Sequence, residues 1–302
     1  MHKTVLVLGS TCVDVILRVH HLPKTEEDMH PLSQAFRIGG CAYNVAHLLG
    51  LAGAPVTFVT PVGMTGFFGP YIHRFLLQEP WAHPVCLETE ENGCCYCLVE
   101  DGGERTFLSL HGIEYTFRSS DLTGIPDTDY TYVCGLEVEE KTGDALVHAL
   151  ESRSTTVFYA PGPRVLQIPE DRTRRLLALR PILHLNACEA QAMSGKADVS
   201  SAMDALFART GQPVIVTLGT EGAAARTADG LFRMPAEKNV TVRDTIGAGD
   251  VHAGGMLYAL SRGLPMEDAL RLSNCLSAAV IQVEGGALPP EKVSAVLSAF
   301  HP

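Results

Sequence analysis

A parallel sheet covered on both faces needs short strands that are apolar without alternation, and this chain supplies them at intervals. Val5-Leu6-Val7-Leu8 ends at Gly9; Val56 to Val62, Tyr130 to Cys134, Thr155 to Tyr159 and Ile182 to Leu185 follow; Val214-Ile215-Val216-Thr217-Leu218 ends at Gly219. Helical segments run from Gly66 to Leu77, Lys141 to Leu150 and Arg172 to Leu179, with final helices over Ala269 to Val283 and Glu291 to Phe300. Leu231 to Met234 and Val240 to Val242 read as short strands. The alternation predicts a three-layer α/β/α fold with a mainly parallel central sheet.

Two stretches break the alternation. Residues 17–38 are polar and lack a helical period. Cys94 to Val99 and Arg105 to Leu110 flank Asp101-Gly102-Gly103-Glu104, the pattern of a β-hairpin. Together they predict a small separate sheet, placed as a lid that keeps water from a site. The 302 residues are read as one domain, 1–302, carrying this lid.

Three glycine turns fall at element boundaries. Asp244-Thr245-Ile246-Gly247-Ala248-Gly249-Asp250 runs into apolar Val251, Met256, Leu257 and Leu260. A glycine turn at a helix N-terminus offers unpaired N–H groups and the positive end of the dipole, an anion site. Asp250 beside it suits a general base that takes a proton from a hydroxyl attacking a bound phosphoryl group. An acid in the first turn of an ordinary helix has the same spacing. Gly39-Gly40 leads to Asn44, and Gly219-Thr220-Glu221-Gly222 follows Thr217. The first pair is a substrate approach or a plain turn; the second is a nucleotide cradle or a hairpin. Asp14, in Thr11-Cys12-Val13-Asp14, is a ligand contact past a strand end or a turn aspartate. Asn186-Ala187-Cys188-Glu189 reads as a capping box or as an amide and a carboxylate steering hydrated magnesium.

A net charge of −11 argues against a general nucleic-acid binder. No apolar run reaches membrane-spanning length, and the start of the chain reads as a buried strand rather than a secretory signal. Nine scattered cysteines, without paired zinc-site spacing, suit reduced thiols in the cytoplasm.

The two blocks Gly39-Gly40-Cys41-Ala42-Tyr43-Asn44-Val45-Ala46 and Asp244 to Asp250 with Gly254-Gly255 resemble the signatures of the ribokinase-like, or PfkB, carbohydrate kinase family. Asn186-x-x-Glu189 and Thr217-Leu218-Gly219-x-x-Gly222 match its secondary blocks in order. The resemblance covers nearly the whole chain. It implies ATP-dependent phosphorylation of a hydroxymethyl group on a sugar or sugar-containing small molecule. Asp250 is then the base and the N–H groups of Gly247, Ala248 and Gly249 form the anion hole. Asn186 and Glu189 position magnesium through water, and Thr217, Gly219, Gly222 and Asn274 line the nucleotide site. Asp14, Gly40, Asn44 and Glu137 hold substrate hydroxyls. The loop holding Asp244 and Ile246 is implied to bind a monovalent cation such as potassium, together with Gly285-Gly286-Ala287. Segments 11–38 and 94–112 become a lid that pairs two copies into a homodimer. The chain departs from the pattern at His252, where the family places a large apolar residue, and at Tyr159 to Arg164, where many sugar kinases carry Asp-Pro-Asn.

A nucleoside kinase fits the same chemistry, since both substrates present a ribose-like ring to Asp14 and Asn44. The lid aromatics Phe36, Tyr96 and Phe107 are candidates to stack on a base. A sugar- and nucleotide-binding protein without turnover is the reading from another class, and the intact Asp250 argues against it. A dinucleotide-dependent dehydrogenase lacks its G-x-G-x-x-G after the first strand.

Overall fold

The computed structural model describes residues 2–301. The strands are β1 (Val5–Leu8), β2 (Cys12–Arg18), β3 (Ser33–Gly39), β4 (Val56–Thr65), β5 (Ala82–Glu91), β6 (Cys94–Val99), β7 (Arg105–Leu110), β8 (Tyr130–Cys134), β9 (Thr156–Ala160), β10 (Ile182–Asn186), β11 (Val214–Thr217), β12 (Ala223–Thr227) and β13 (Gly230–Met234). The helices are α1 (Cys41–Leu51), α2 (Phe68–Leu76), α3 (Gly135–Glu139), α4 (Gly143–Glu151), α5 (Glu170–Ala178), α6 (Ala187–Ser194), α7 (Val199–Thr210), α8 (Ala248–Ser261), α9 (Met266–Val280) and α10 (Pro290–Ala299).

The main sheet has the order β13-β12-β11-β10-β9-β8-β1-β4-β5. It is parallel from β5 to β11, and the last two strands return antiparallel. Side chains alternate between two cores because successive Cβ atoms leave a strand on opposite faces. From β1, Val5 and Val7 enter one core with α1, α8 and α9, while Leu6 and Leu8 enter the other with α4, α5 and α7. Both faces are thus apolar, and the unalternating runs follow. The chain reverses its direction of travel between β1 and β8, and open α/β sheets bind ligands at such a switch point, beyond the carboxyl ends of the strands.

The second sheet has the order β3-β2-β6-β7 and is the expected lid. Its register puts Asp14 level with Arg37, Cys95 and Ser109, and Ile16 level with Cys97 and Phe107. Val15 is level with Phe36, Tyr96 and Leu108. Paired residues share a face, so Phe107 lies on the Asp14 face and Phe36 and Tyr96 lie on the other. The three aromatics therefore do not form one stacking surface.

Two further expectations change, and one strand is new. Asp14 sits inside a lid strand rather than past the end of a main-sheet strand. Val240 to Val242 forms no strand; Val240 and Val242 line a cavity, which is why apolar residues stand there. Strand β5 extends the main sheet at its edge, where Pro84, Glu88, Glu90 and Glu91 hide the strand signal but suit an edge.

Candidate active site

The ends of β8 to β11 face the start of α8 across a cavity of about 250 Å³, whose lining includes Cys134, Ala160, Asn186, Thr217, Gly249 and Asp250. A second cavity, of about 530 Å³, is lined by Gly219, Gly222, Val240, Ala248, Asn274 and Ala278 among others. Thr217 and Gly249 line both, so the two spaces meet at the helix N-terminus.

Gly247 begins α8 with φ 73°, in the left-handed region, and a Cβ there would lie 2.2 Å from the Gly286 carbonyl oxygen. Glycine is required both by the turn and by the close approach. The first bond of the helical ladder is Val251 N–H to Gly247 O, 2.8 Å. The N–H groups of Ala248, Gly249 and Asp250 precede it, outside the ladder, at the positive end of the dipole.

Asp250 lines the smaller cavity. Asn44 Nδ2 donates to its Oδ2 at 2.8 Å, and Asn44 is itself buried. Burial pushes the Asp250 carboxyl above its usual range, while hydrogen bonds from Asn44 and the Cys41 thiol pull the other way. Asn44 thus spends its amide nitrogen on the carboxylate, while its Oδ1 is buried without a hydrogen-bond partner. Gly40 has φ 109°, and a Cβ there would stand 2.6 Å from the Ser10 carbonyl oxygen. That crossing sets the start of α1, and with it Asn44.

Asn186 and Glu189 form the capping box. Asn186 Oδ1 accepts from Glu189 N at 2.8 Å, and Glu189 Oε2 accepts from Asn186 N at 2.9 Å. Asn186 Nδ2 donates to Glu189 Oε1 at 2.7 Å, and both residues line the smaller cavity. Burial raises the Glu189 carboxyl, against the backbone donor of Asn186. Gly222 has φ 98° and a Cβ there would meet Met234 O at 2.1 Å. Asn274 Nδ2 donates to Met234 O and Pro235 O at 3.2 and 2.9 Å, pinning the exit of β13 beside the larger cavity.

His252 bonds His184, with Nδ1 and Nε2 2.9 Å apart. His184 lines the smaller cavity and His252 the larger. Burial lowers His252 to about 4, and burial with the charge of His252 lowers His184 as well, so both imidazoles are neutral at physiological pH. The departure at 252 is a buried hydrogen-bonded pair in the wall between the two cavities.

Asp14 is mostly buried on the lid, and burial raises its carboxyl to about 6, with the charges of Asp250 and Asp244 adding to the rise against the Cys12 thiol. Arg105, which the strand register puts on the Asp14 face, reaches Asp244, so that face is turned to the α8 start. Glu137 is not brought to either cavity. It is 1% exposed, Oε1 accepts from Ser10 N at 2.8 Å and Oε2 from the Cys134 thiol at 2.7 Å. It ties the end of β1 to the end of β8. Asp244 is buried and fully engaged: Oδ1 accepts from Arg105 Nη1 and from Ile246 N at 2.9 Å, and Oδ2 from Gly285 N at 2.8 Å. Sequence reasoning missed Arg105, Cys41 and His184. The hairpin pattern was visible around Arg105, but nothing local tells which carboxylate a strand arginine meets.

An open, mainly parallel α/β sheet, a glycine turn with a carboxylate at a helix N-terminus, and a β lid above them define a small-molecule kinase of the ribokinase fold. The model of the pfkB family carbohydrate kinases matches residues 2–293. The chain is 33% identical to a protein of Escherichia coli K12 described as the uncharacterized sugar kinase YegV, over 98% of this chain and 94% of the relative. Among solved structures, the ribokinase of Thermotoga maritima superposes with a TM-score of 0.84 at 21% identity, over 98% of this chain and 99% of the other. A Burkholderia thailandensis nucleoside kinase, solved in complex with inosine, superposes with a TM-score of 0.78 at 21% identity, over 98% and 97%. The chain belongs to the PfkB family of carbohydrate kinases.

Proposed function

We propose that this kinase transfers the γ-phosphoryl group of ATP to a hydroxymethyl group of a neutral sugar, with Asp250 as general base. One observation carries the reading: two cavities share Thr217 and Gly249 at the α8 N-terminus, and Asp250 lines the smaller one. A nucleotide in the larger cavity directs its terminal phosphate to that junction. The N–H groups of Gly247, Ala248 and Gly249 take up the charge that develops on the transferring group. Asp250 takes the proton of the attacking hydroxyl, its orientation fixed by Asn44. Thr217, Gly219, Gly222 and Asn274 form the nucleotide wall. Asp14 accepts from substrate hydroxyls as the lid closes, and Gly40 shapes the approach by seating α1.

The residues fit magnesium in its hydrated form. Asn186 and Glu189 offer hard oxygen atoms on the cavity wall, and among the described residues no cluster of three His, Cys, Asp or Glu exists to ligate a metal directly. When bound, the ion screens phosphate charge; the carboxylate and amide hold its waters.

A neutral acceptor follows from the charges. Two arginines bordering the site are already paired, Arg105 with Asp244 and Arg164 with Glu139, while Asp14 and Asp250 are acidic. An anionic substrate would meet repulsion from both acids, against which stands Arg37, exposed beside Asp14 on the lid. Phe107, half exposed on the Asp14 face, supports the second reading, a nucleoside acceptor whose base lies against that ring. On the opposite lid face Phe36, Tyr96, Leu108 and Leu110 are exposed, which supports a homodimer formed through the lids. Nine free thiols suit a reducing cytoplasm, and no described helix is long and apolar enough to cross a membrane.

The test is ADP formation with magnesium against neutral pentoses and hexoses, sugar acids, sugar phosphates and nucleosides. Turnover on neutral sugars, lost in Asp250→Asn with ATP binding retained, supports the reading. Turnover on nucleosides alone moves it to the second reading, and preference for acids or phosphates overturns the charge argument. ATP binding without turnover on any acceptor would mark a binding protein.

A further inference from the structure

Two arginines of the lid meet carboxylates of the body, both on the loops that flank the start of α8. Arg18, closing β2, meets Glu284 at 2.6 Å, exposed on both sides. Arg105, opening β7, meets Asp244 in a pair that is almost wholly buried, with side-chain exposures of 17% and 3%. The carboxylate of Asp244 also accepts Ile246 N–H and Gly285 N–H, so it holds together the loop entering Gly247 and the loop whose Gly286 carbonyl packs against Gly247.

A monovalent cation at Asp244 and Ile246 does not fit this arrangement. The guanidinium already lies against Oδ1, and Oδ2 is taken by the backbone; a second cation there would be repelled without desolvated charge to compensate it. We propose that Arg105 is the resident cation of the Asp244 loop: a positioning residue that acts through Asp244 on the anion hole, makes the enzyme independent of monovalent cations, and couples the shape of the hole to lid closure. Arginine suits the task because its planar fork stays charged when buried. The proposal rests on the kinase reading for its catalytic part only; the cation part stands on the fold.

The experiment compares potassium, sodium and tetramethylammonium chlorides at equal ionic strength. For the wild-type protein we expect the same melting temperature to within about 1 °C and the same kcat to within about twofold. Arg105→Ala in tetramethylammonium should lose about tenfold or more in kcat with KM for ATP little changed. Millimolar guanidinium, or potassium filling the vacated volume, should restore both kcat and melting temperature. Arg105→Gln serves the same purpose should the alanine variant not fold. A saturable rise of wild-type melting temperature with potassium overturns the proposal, as does a variant that neither ion rescues. The melting comparison needs no turnover, so a protein silent with every acceptor would fail the kinase reading while still deciding this one.

Discussion

Asp14→Asn should stabilise the protein at neutral pH while damaging its function. The substitution keeps size and removes the charge. In the folded state burial holds the Asp14 carboxyl at about 6, against an ordinary value of 3.8, and the charges of Asp250 and Asp244 add to the rise. A carboxyl raised on folding binds more protons in the folded than in the unfolded state. Stability therefore falls as pH rises from the unfolded value through the folded one, and the full cost is present above about 6. At ~1.4 kcal/mol per pH unit the gap corresponds to at most about 3 kcal/mol, and solvent reaching the lid face lowers it to roughly 1–2 kcal/mol. For a chain of this size that is a rise of about 1.5–3 °C in melting temperature. The assay is thermal unfolding of wild type and variant at pH 7.5 and 4.5, with KM for the acceptor measured at the higher pH. The stability gap should shrink to about a third at the lower pH, where the folded wild type is already protonated. A variant less stable than wild type at pH 7.5, or a gap that does not shrink, refutes the reasoning. Higher stability with an unchanged KM would refute only the substrate role.

Asp250→Asn should lower kcat by about 10²–10⁴-fold, with melting temperature and ATP affinity nearly unchanged, because an amide can still meet Asn44. Asn44→Ala removes a donor from the carboxylate, worth about 1.5–3 kcal/mol, so the acid limb of the kcat/KM profile should move up by about 1–2 pH units; an unmoved limb would count against Asp250 as the base. Gly247→Ala forces an L-residue into the left-handed region at ~1–2 kcal/mol and drives a Cβ into the Gly286 carbonyl, so kcat should drop by about 10²-fold or more in steady-state assays. His252→Phe leaves His184 Nε2 without its partner and should cost about 1–3 kcal/mol in urea unfolding, part of which the His184→Phe, His252→Phe double variant recovers.

Local chemistry wrote much of this structure into the sequence. The unalternating runs of β1, β8, β10 and β11 are apolar because both faces are covered. The turn before α8 is legible because its backbone demands glycine at 247 and its helix start demands small neighbours. The box of Asn186 and Glu189 is legible because both partners lie within one turn. What stayed hidden depends on register or on distance along the chain. Whether Phe36, Tyr96 and Phe107 share a face is decided by lid pairing, since a shift of one residue inverts it. Arg105 and Asp244 are 139 residues apart, and His184 and His252 68, so neither pair leaves a local pattern. Glu137 carried a carboxylate in the right neighbourhood, but burial turned it into a tie between β1 and β8.

The proposed base is placed by helix packing rather than by a loop. Asp250 lies in the first turn of α8, and its partner Asn44 in the first turn of α1; each helix begins at a glycine with positive φ, Gly247 and Gly40. The two helices touch further along, where Gly254 admits the Leu48 side chain; a Cβ at 254 would come within 2.9 Å of it. The 2.8 Å bond between Asn44 and Asp250 is therefore set at both ends, by glycine turns and by an interhelical contact inside the core. What the lid brings is Asp14 and Arg105, the first proposed to meet the acceptor and the second reaching Asp244 in the loop before α8. On the proposed reading, substrate recognition and the final shape of the hole belong to the lid sheet, and proton abstraction to the packed helices of the body.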